Sequence, residues 1–503
     1  MRTAIVWLRQ DLRLADNPAL HACAAAGIER VVPLWIDESP KGDEQARDEQ
    51  GREQATGAAS RAWTHRSLVS LQQDLEAIGT RLLLAQGEPS SVLRSLIEVL
   101  SGASADPVAE PIRVFWNRRY DPAGIARDTA IKQALAEHTP HTFNAQLLHE
   151  PWEVLKKDGT PYRVYTPYWR TVAARLDERG GVEVLPAPDA LGGWQHDAPL
   201  MSALHENGFS SDVTTLGLLP DHAWAPELLD GWPIGERAAM QRLQQFLDAP
   251  VHAYDDARDV PGVDGTSRLS PALHHGELSP RQALAALCDG RSIAELGEGE
   301  TVFAKELVWR EFGAAMLYHF PDTLHAPLDR RFERFAWNPE PAPWLSAWQR
   351  GLTGVPIVDA GMRQLYATGW MHNRVRMVVA SYLIKNLLID WRHGEAWFRD
   401  TLVDADLASN TLGWQWAAGC GADAAPFFRV FNPVLQGEKF DREGAYVRHW
   451  VPELAGIDKR CLHKPWELPP AQRAGLDYPA PLVDLKASRV RALEAFAALK
   501  RVG

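Results

Sequence analysis

Cysteine is scarce in this chain: the four present, Cys23, Cys288, Cys420 and Cys461, stand far apart. No pair has the close spacing of a zinc, redox or iron–sulfur motif, so no metal site is expected. Such usage fits a reduced interior, and a cytoplasmic location is the expectation. Long apolar runs are lacking, which excludes a membrane-spanning helix. No leader is expected either, because Met1 runs within two residues into a strand-like segment. Repeats of fixed period are absent. No G-x-G-x-x-G follows the first strand-like run, which excludes the usual dinucleotide site there. Positive charge is in deficit, with Lys and Arg totalling 53 against 65 Asp and Glu, a net charge of −12. That balance lowers the expectation of a polyanionic partner but leaves room for a local basic patch.

What the chain has in excess is tryptophan: 20, more than its 15 Phe and twice its 10 Tyr. Packing explains any one of these rings more readily than it explains the whole excess. The hydrophobic fraction of 46% and charged fraction of 23% are those of a globular protein. At 503 residues the chain exceeds what one core usually organises, so two or more domains are expected.

Four short β-branched or apolar runs, Thr3–Leu8, Val31–Ile36, Arg81–Ala85 and Ile112–Trp116, alternate with helical stretches. Leu68, Leu71, Leu75 and Ile78 recur at helical spacing in Thr64–Ile78. Asp16-Asn17-Pro18 marks a helix entrance, a capping residue followed by Pro in the first turn. This alternation predicts an α/β N-terminal domain over residues 1–135, built on a doubly wound parallel sheet. The polar segment Glu38–Ser60 reads as a loop, and residues 136–233, rich in Pro, Gly and Trp, as a long connector. From 234 to 503 the pattern is helical. Met240, Leu243, Phe246 and Leu247 mark one apolar face, Val302–Phe320 is a strong helix, Gly361–Ile389 holds two more, and Val483–Arg501 is the last.

The stretch from Gly354 to Phe440 is the hardest to explain as packing alone. Trp370, Trp391, Trp414 and Trp416 recur among small residues, and Asn373, Arg374, Arg376, Asp404, Asp406 and Asn410 interrupt apolar runs. Polar groups are costly to bury unpaired, so these are expected to face a large ligand. Asp404 and Asp406, two apart, fit a loop or helix entrance better than one helix face. Upstream, Gly265-Thr266-Ser267-Arg268-Leu269-Ser270 concentrates hydroxyls, N–H groups and a guanidinium, as a phosphate or pyrophosphate site does; an ordinary helix start reads equally well. His274-His275 lacks a second ligand pair and reads as structural. On one side of a helix, Glu306, Trp309 and Arg310 place a carboxylate, an aromatic face and a cation together. That set is either a surface ion pair beside a half-buried Trp or a pocket that reads a base edge by stacking and hydrogen bonding. Asn373 and Met377 likewise share a helix side. The run from Gly419 to Ala424 matches G-x-G-x-x-A formally but follows a helix and no strand, so it is discarded.

These residues resemble the photolyase/cryptochrome flavoproteins, and within them bacterial class I cyclobutane pyrimidine dimer photolyases. The resemblance is carried by VWLRQDLRLADNPAL, WNRRYDP, GTSRLSP, ELVWREF, GWMHNRVRM, DLASNTLGWQW and FRVFNPVLQGEKFD, and covers essentially the whole chain. It implies an all-α C-terminal FAD-binding domain with FAD bent into a U. Tyr254, Thr266, Ser267, Arg268, Leu269 and Ser270 match positions that hold the phosphates and ribityl chain. Asn373, Arg376, Asp404 and Asp406 match those around the flavin and adenosine, and Asn410 the Asn beside flavin N5. It further implies light-driven electron transfer from reduced FAD to a pyrimidine dimer flipped out of DNA. Glu306 matches the carboxylate that hydrogen-bonds the dimer, while Trp309, Trp416, Met377 and Asn373 line its walls. Arg258, Arg310, Arg374 and Arg429 match arginines of the DNA face, whose contacts would make binding salt-dependent. Trp414, Trp391 and Trp337 match an electron relay to the surface, with Trp344 and Trp348 as neighbouring candidates for its outer end. An antenna pigment, methenyltetrahydrofolate or an 8-hydroxy-deazaflavin, is expected in the α/β domain, near Glu38–Ser60 and Trp116–Tyr120. A monomer is expected. A (6-4) photolyase carries histidines where this chain has Asn373 and Met377. A cryptochrome photoreceptor often replaces the Asn at 410 and adds a signalling tail, and here the chain ends soon after its last helix.

Overall fold

The computed structural model describes residues 1–38, 56–102, 110–219, 224–424 and 428–501, so most of the polar segment Glu38–Ser60 lies outside the described residues. The chain forms two compact units. The first comprises Met1–Glu153, Ala173–Gln245 and Arg268–Leu296; the second comprises Val154–Val172, Phe246–Ser267 and Gly297–Gly503.

In the first unit, β1 (Thr3–Leu8), β2 (Arg30–Asp37), β3 (Leu83–Gln86), β4 (Arg113–Asn117) and β5 (Pro140–Phe143) pair in parallel, in the order β3-β2-β1-β4-β5. Side chains alternate across each strand. Ala4, Val6 and Leu8 therefore enter one core with Leu20, Leu68, Leu71 and Leu75. Ile5 and Trp7 enter the other with Leu93, Leu96 and Ile97. Burial on both faces explains why the strands read as continuous apolar runs. Asn17 caps the helix Pro18–Ala25 by accepting from the Leu20 N–H at 3.3 Å. Its neighbour Asp16 instead turns through a left-handed φ of 52° and takes Ser279 Oγ at 2.5 Å and Arg281 Nε at 2.9 Å.

The order of strands reverses between β1 and β4, the place where such sheets usually open a ligand crevice. A network of side chains fills it here: Asn117 Nδ2 donates to Asp11 at 2.5 Å and to Asn17 at 2.8 Å, and Arg9 pairs with Asp128 at 2.7 Å. Trp116 donates Nε1–H to Asp128 at 3.0 Å, and Arg118 reaches Thr142. Within Trp116–Tyr120, expected to touch an antenna pigment, Trp116, Asn117 and Tyr120 are thus buried inside the unit.

The boundaries expected at 135 and 233 differ from this division. Strand β5 lies inside the expected connector; it is a half-buried edge strand of four residues that begins with Pro, too short to show alternation. Leu191, Val213, Leu216 and Leu218 sit in one core of the sheet, and Trp194, Leu200 and Leu204 in the other. Residues 173–233 therefore belong to the first unit, not to a surface wrap. Met240, expected on an apolar face, is exposed, while Leu243 and Phe246 are buried.

The second unit is helical. Its main helices are Glu298–His319, Pro356–Thr368, Asn373–Ser381, Trp391–Thr401, Leu407–Ala418 and Leu485–Arg501. Their common core includes Val358, Met362, Val375, Val379, Leu383, Phe398 and Trp414. At roughly 1.5–3 kcal/mol for each such side chain buried, this core dominates the unit's cohesion. Gly369, with φ 65°, ends the Pro356–Thr368 helix in a left-handed turn that a residue with a Cβ would resist. No described helix is long and apolar enough to cross a membrane.

Candidate functional site

The Leu407–Ala418 helix is the axis of the site, because the helices Glu298–His319, Asn373–Ser381 and Trp391–Thr401 all pack on it. It starts where Asp406 accepts from the Ser409 N–H at 2.8 Å, a carboxylate cap that also suits the helix dipole. Asp404 precedes it in the loop and is buried, held by Arg376 Nη2 at 2.8 and 3.1 Å. Arg376 is oriented a second time by donating Nε–H to the Met371 carbonyl at 2.7 Å. Along the axis, Asn410 donates Nδ2–H to the Glu395 carboxylate at 2.9 Å and to its carbonyl at 3.1 Å. Both amide hydrogens are thereby directed at Glu395, which leaves the Asn410 oxygen as an acceptor. Burial pushes the Glu395 carboxyl above its ordinary range, and Arg399 at 3.3 Å opposes that rise.

One turn beyond Asn410, Gly413 is exposed, and a Cβ built there would meet nothing within 4 Å. A flat ligand could lie against that backbone, so the donor set and the bare glycine fit a flavin. Trp414 is buried, with Phe398 at 4.9 Å and Trp348 at 6.2 Å between ring centres. Trp391 is buried too, directly after its helix cap Asp390. Trp337 is half-buried against Phe335 at 4.4 Å. Trp348, fully buried and donating to the Val379 carbonyl at 3.1 Å, has no solvent edge to end a relay; Trp344 and Trp337 both keep one.

On the Glu298–His319 helix, Glu306 takes Arg258 Nη1–H at 2.6 Å, with side chains 29% and 21% exposed. Desolvation raises the Glu306 carboxyl above its usual value, and Arg258 pulls the other way. One turn on, Trp309 stacks face to face on Tyr165, with centroids 3.7 Å apart and planes 8° apart. Tyr165 is anchored by its hydroxyl on the Lys305 carbonyl at 2.5 Å, so one face of Trp309 is covered and its orientation fixed. Arg374 forks onto Asp259 at 2.6 and 3.2 Å and lies over the Phe440 ring. Arg310, Met377 and Trp416 are half-buried, and Asn373 and Arg429 are exposed. Of the six polar residues expected to be buried facing a ligand, Asp404 alone is buried; the others keep a solvent-open edge.

Tyr254 is buried on the same unit, edge-on to Phe303 at 5.7 Å. Thr266 and Ser267 belong to this unit, and Gly265 comes so close to Ala257 that a Cβ would lie 2.7 Å from its methyl group. The chain passes to the first unit between Ser267 and Arg268. Arg268 has a left-handed φ of 50° and is exposed, as is Ser270, while the Leu269 side chain is buried. Those three residues lie outside the helical unit's cluster. Sequence reasoning missed Tyr165, Asp259 and Glu395. Only Glu395 carried a local signal, its i,i+4 spacing to Arg399.

Two family models match the chain: one described as DNA photolyase, over residues 4–189, and one described as FAD binding domain of DNA photolyase, over residues 303–498. A deoxyribodipyrimidine photo-lyase of Agrobacterium fabrum is 45% identical over 99% of this chain and 98% of the relative. Cryptochrome-1 of Arabidopsis thaliana is 35% identical over 98% of this chain and 70% of the relative. A crystal structure of a bacterial class III photolyase from Agrobacterium tumefaciens superposes with a TM-score of 0.86 at 44% identity, covering 100% of this chain and 98% of that one. That class label differs from the class I that the motifs resemble.

Proposed function

We propose that this chain, which belongs to the DNA photolyase family, repairs cyclobutane pyrimidine dimers in DNA with light. Its cofactor is FAD, held by the helical unit. The reading is supported above all by one juxtaposition: Asn410 fixed on Glu395, and Glu306 fixed on Arg258, stand on two helices packed against each other. One pair suits a flavin and the other an extruded base.

The chemistry supplied by reduced FAD, when bound, is light-driven donation of one electron to the dimer and its recovery once the cyclobutane bonds break. The chain's residues hold the partners. Tyr254, Thr266 and Ser267 take the phosphate and ribityl portion. Arg376, Asp404, Asp406 and Asn373 surround the ring system and adenosine. Asn410 offers its amide oxygen to a protonated ring nitrogen, which favours the reduced form. Glu306 accepts a hydrogen bond from the dimer's edge, and Arg258 keeps its carboxylate in place. Trp309, Trp416 and Met377 wall the lesion, whose weakened stacking lowers the cost of leaving the duplex. Arg310, Arg374 and Arg429 bind backbone phosphates, so affinity falls with salt despite the acidic total charge. With FAD bound, Trp414, Trp391 and Trp337 would relay electrons toward it, an external reductant at the surface refilling the outermost ring.

The test separates the family's activities. Reduced protein is illuminated with two oligonucleotides, one carrying a cyclobutane dimer and the other a (6-4) product, and the products are separated by chromatography. Restoration of the first alone is expected. Restoration of the second would favour a (6-4) photolyase, and flavin photochemistry with neither restored would favour a photoreceptor.

A further inference from the structure

We propose that Lys385 is a positioning residue for the segment that carries Arg429 to the DNA; the proposal rests on the photolyase reading above. The helix Asn373–Ser381 does not end at Ser381 but runs on into a π-turn, Tyr382–Asn386. Such turns shift the register of side chains and recur at functional sites. Lys385 stands on this one and is only 4% exposed, a rare position for lysine. Its ammonium donates to the Arg429 carbonyl and lies over the Phe428 ring, 4.6 Å from the centroid. One turn earlier, Ser381 Oγ accepts from the Phe431 N–H at 3.3 Å. Residues 428–431 are thus fastened at two points to one side of a single helix. The far end of the turn is fixed as well, because Arg491 donates to the Asn386 carbonyl at 2.6 Å and Asn386 to Ser488 at 2.9 Å.

The Arg429 side chain is exposed and free to turn, so what the fold fixes is the position of its backbone, and Lys385 holds that backbone. The same helix begins with Arg374, Arg376 and Met377. One rigid element therefore links the wall of the lesion pocket to the outlying arginine. A buried amine is expensive, and an apolar residue of equal length would pack there at lower cost. Burial pushes the Lys385 amine down to about 7, with Cys420 opposing and Arg429 adding to the fall. The amine donates to the carbonyl in either protonation state.

The experiment uses the full FAD-containing protein. Lys385→Met keeps the length and removes the donor. Binding to a duplex with one thymine dimer is measured across a salt series, with the flavin spectrum recorded alongside. Expected is a Kd raised about three- to tenfold, the worth of one hydrogen bond. The slope of log K against log salt should become shallower by about one phosphate contact, with flavin content unchanged. Arg429→Ala should weaken binding at least as much, and the double variant should bind no worse than Arg429→Ala alone, as coupled residues do. If Arg429→Ala weakens binding and Lys385→Met does not, or if the two losses multiply, the positioning role is wrong. If Arg429→Ala has no effect, the DNA-face assignment itself fails. Should Lys385→Met not accumulate as folded protein, Ser381→Ala carries the same test with a smaller loss expected.

Discussion

Glu306 and Arg258 are joined at 2.6 Å across 48 residues of sequence, both partly open to solvent. An exposed ion pair is worth about 0.2–1 kcal/mol, whereas breaking a buried one costs about 3–5 kcal/mol. This pair lies between, and its exposed edge is where a base could compete for the carboxylate. Glu306→Gln keeps the shape and removes the charge. It should lower repair yield, with a loss of about 1.5–3 kcal/mol in dimer recognition, while FAD stays bound. Repair kinetics beside a flavin spectrum check this; loss of FAD would mean that the pocket is misplaced.

The pH dependence of that site has a definite sign. Desolvation raises the Glu306 pKa, so its carboxylate is lost on acidification earlier than an ordinary glutamate's. Repair yield per bound dimer should therefore fall as pH drops, with a midpoint above the ordinary 4.5. In Glu306→Gln that inflection should vanish. A profile unchanged by the substitution would assign the titration to another group.

Asn410 is held by Glu395, and the amide's orientation depends on that bond. Glu395→Ala should free the amide and destabilise the reduced flavin. Re-oxidation in air should be faster by about tenfold, the equivalent of one hydrogen bond. Stopped-flow absorbance of the reduced protein mixed with oxygen measures it.

Gly394 faces Trp414 so closely that an added Cβ would lie 2.1 Å from the ring. Gly394→Ala should cost about 1–3 kcal/mol through overpacking and lower the Tm. By tilting the ring it should also slow photoreduction of oxidised flavin. Repair by chemically reduced protein should fall less.

Trp391→Phe should abolish photoreduction while chemically reduced protein still repairs. Trp337→Phe and Trp344→Phe, compared in the same assay, identify the outer end of the relay. Trp348 is set aside by its complete burial.

Much of the fold was legible because β1 and β2 are buried on both faces and so carry unbroken apolar runs. The helix Ala58–Ala77 showed its period for the complementary reason: Leu68, Leu71 and Leu75 are buried while Val69 on its other side is exposed. The stretch that read as a connector did not, because its core residues come from short separate pieces: Leu191 and Trp194 outside any helix or strand, Leu200 and Leu204 on the nine-residue helix Ala198–Glu206, and Val213 and Leu216 on a single short turn. Residue types at the site were readable where several sit on one helix, as with Glu306 and Trp309. Their partners were not: Arg374 meets Asp259 across 115 residues and Trp309 stacks on Tyr165, and no local spacing encodes such pairings. Tertiary folding decides these two pairings, unlike Glu395 and Arg399, which meet at i,i+4 on one helix.

The most direct measurement follows absorbance near the base band while anaerobic, chemically reduced protein bound to dimer-containing thymine DNA is illuminated. The account predicts that absorbance returns with light, stays flat in darkness, and is strongly reduced in Glu306→Gln. Flat traces in the light, with flavin reduced and DNA bound, would contradict it.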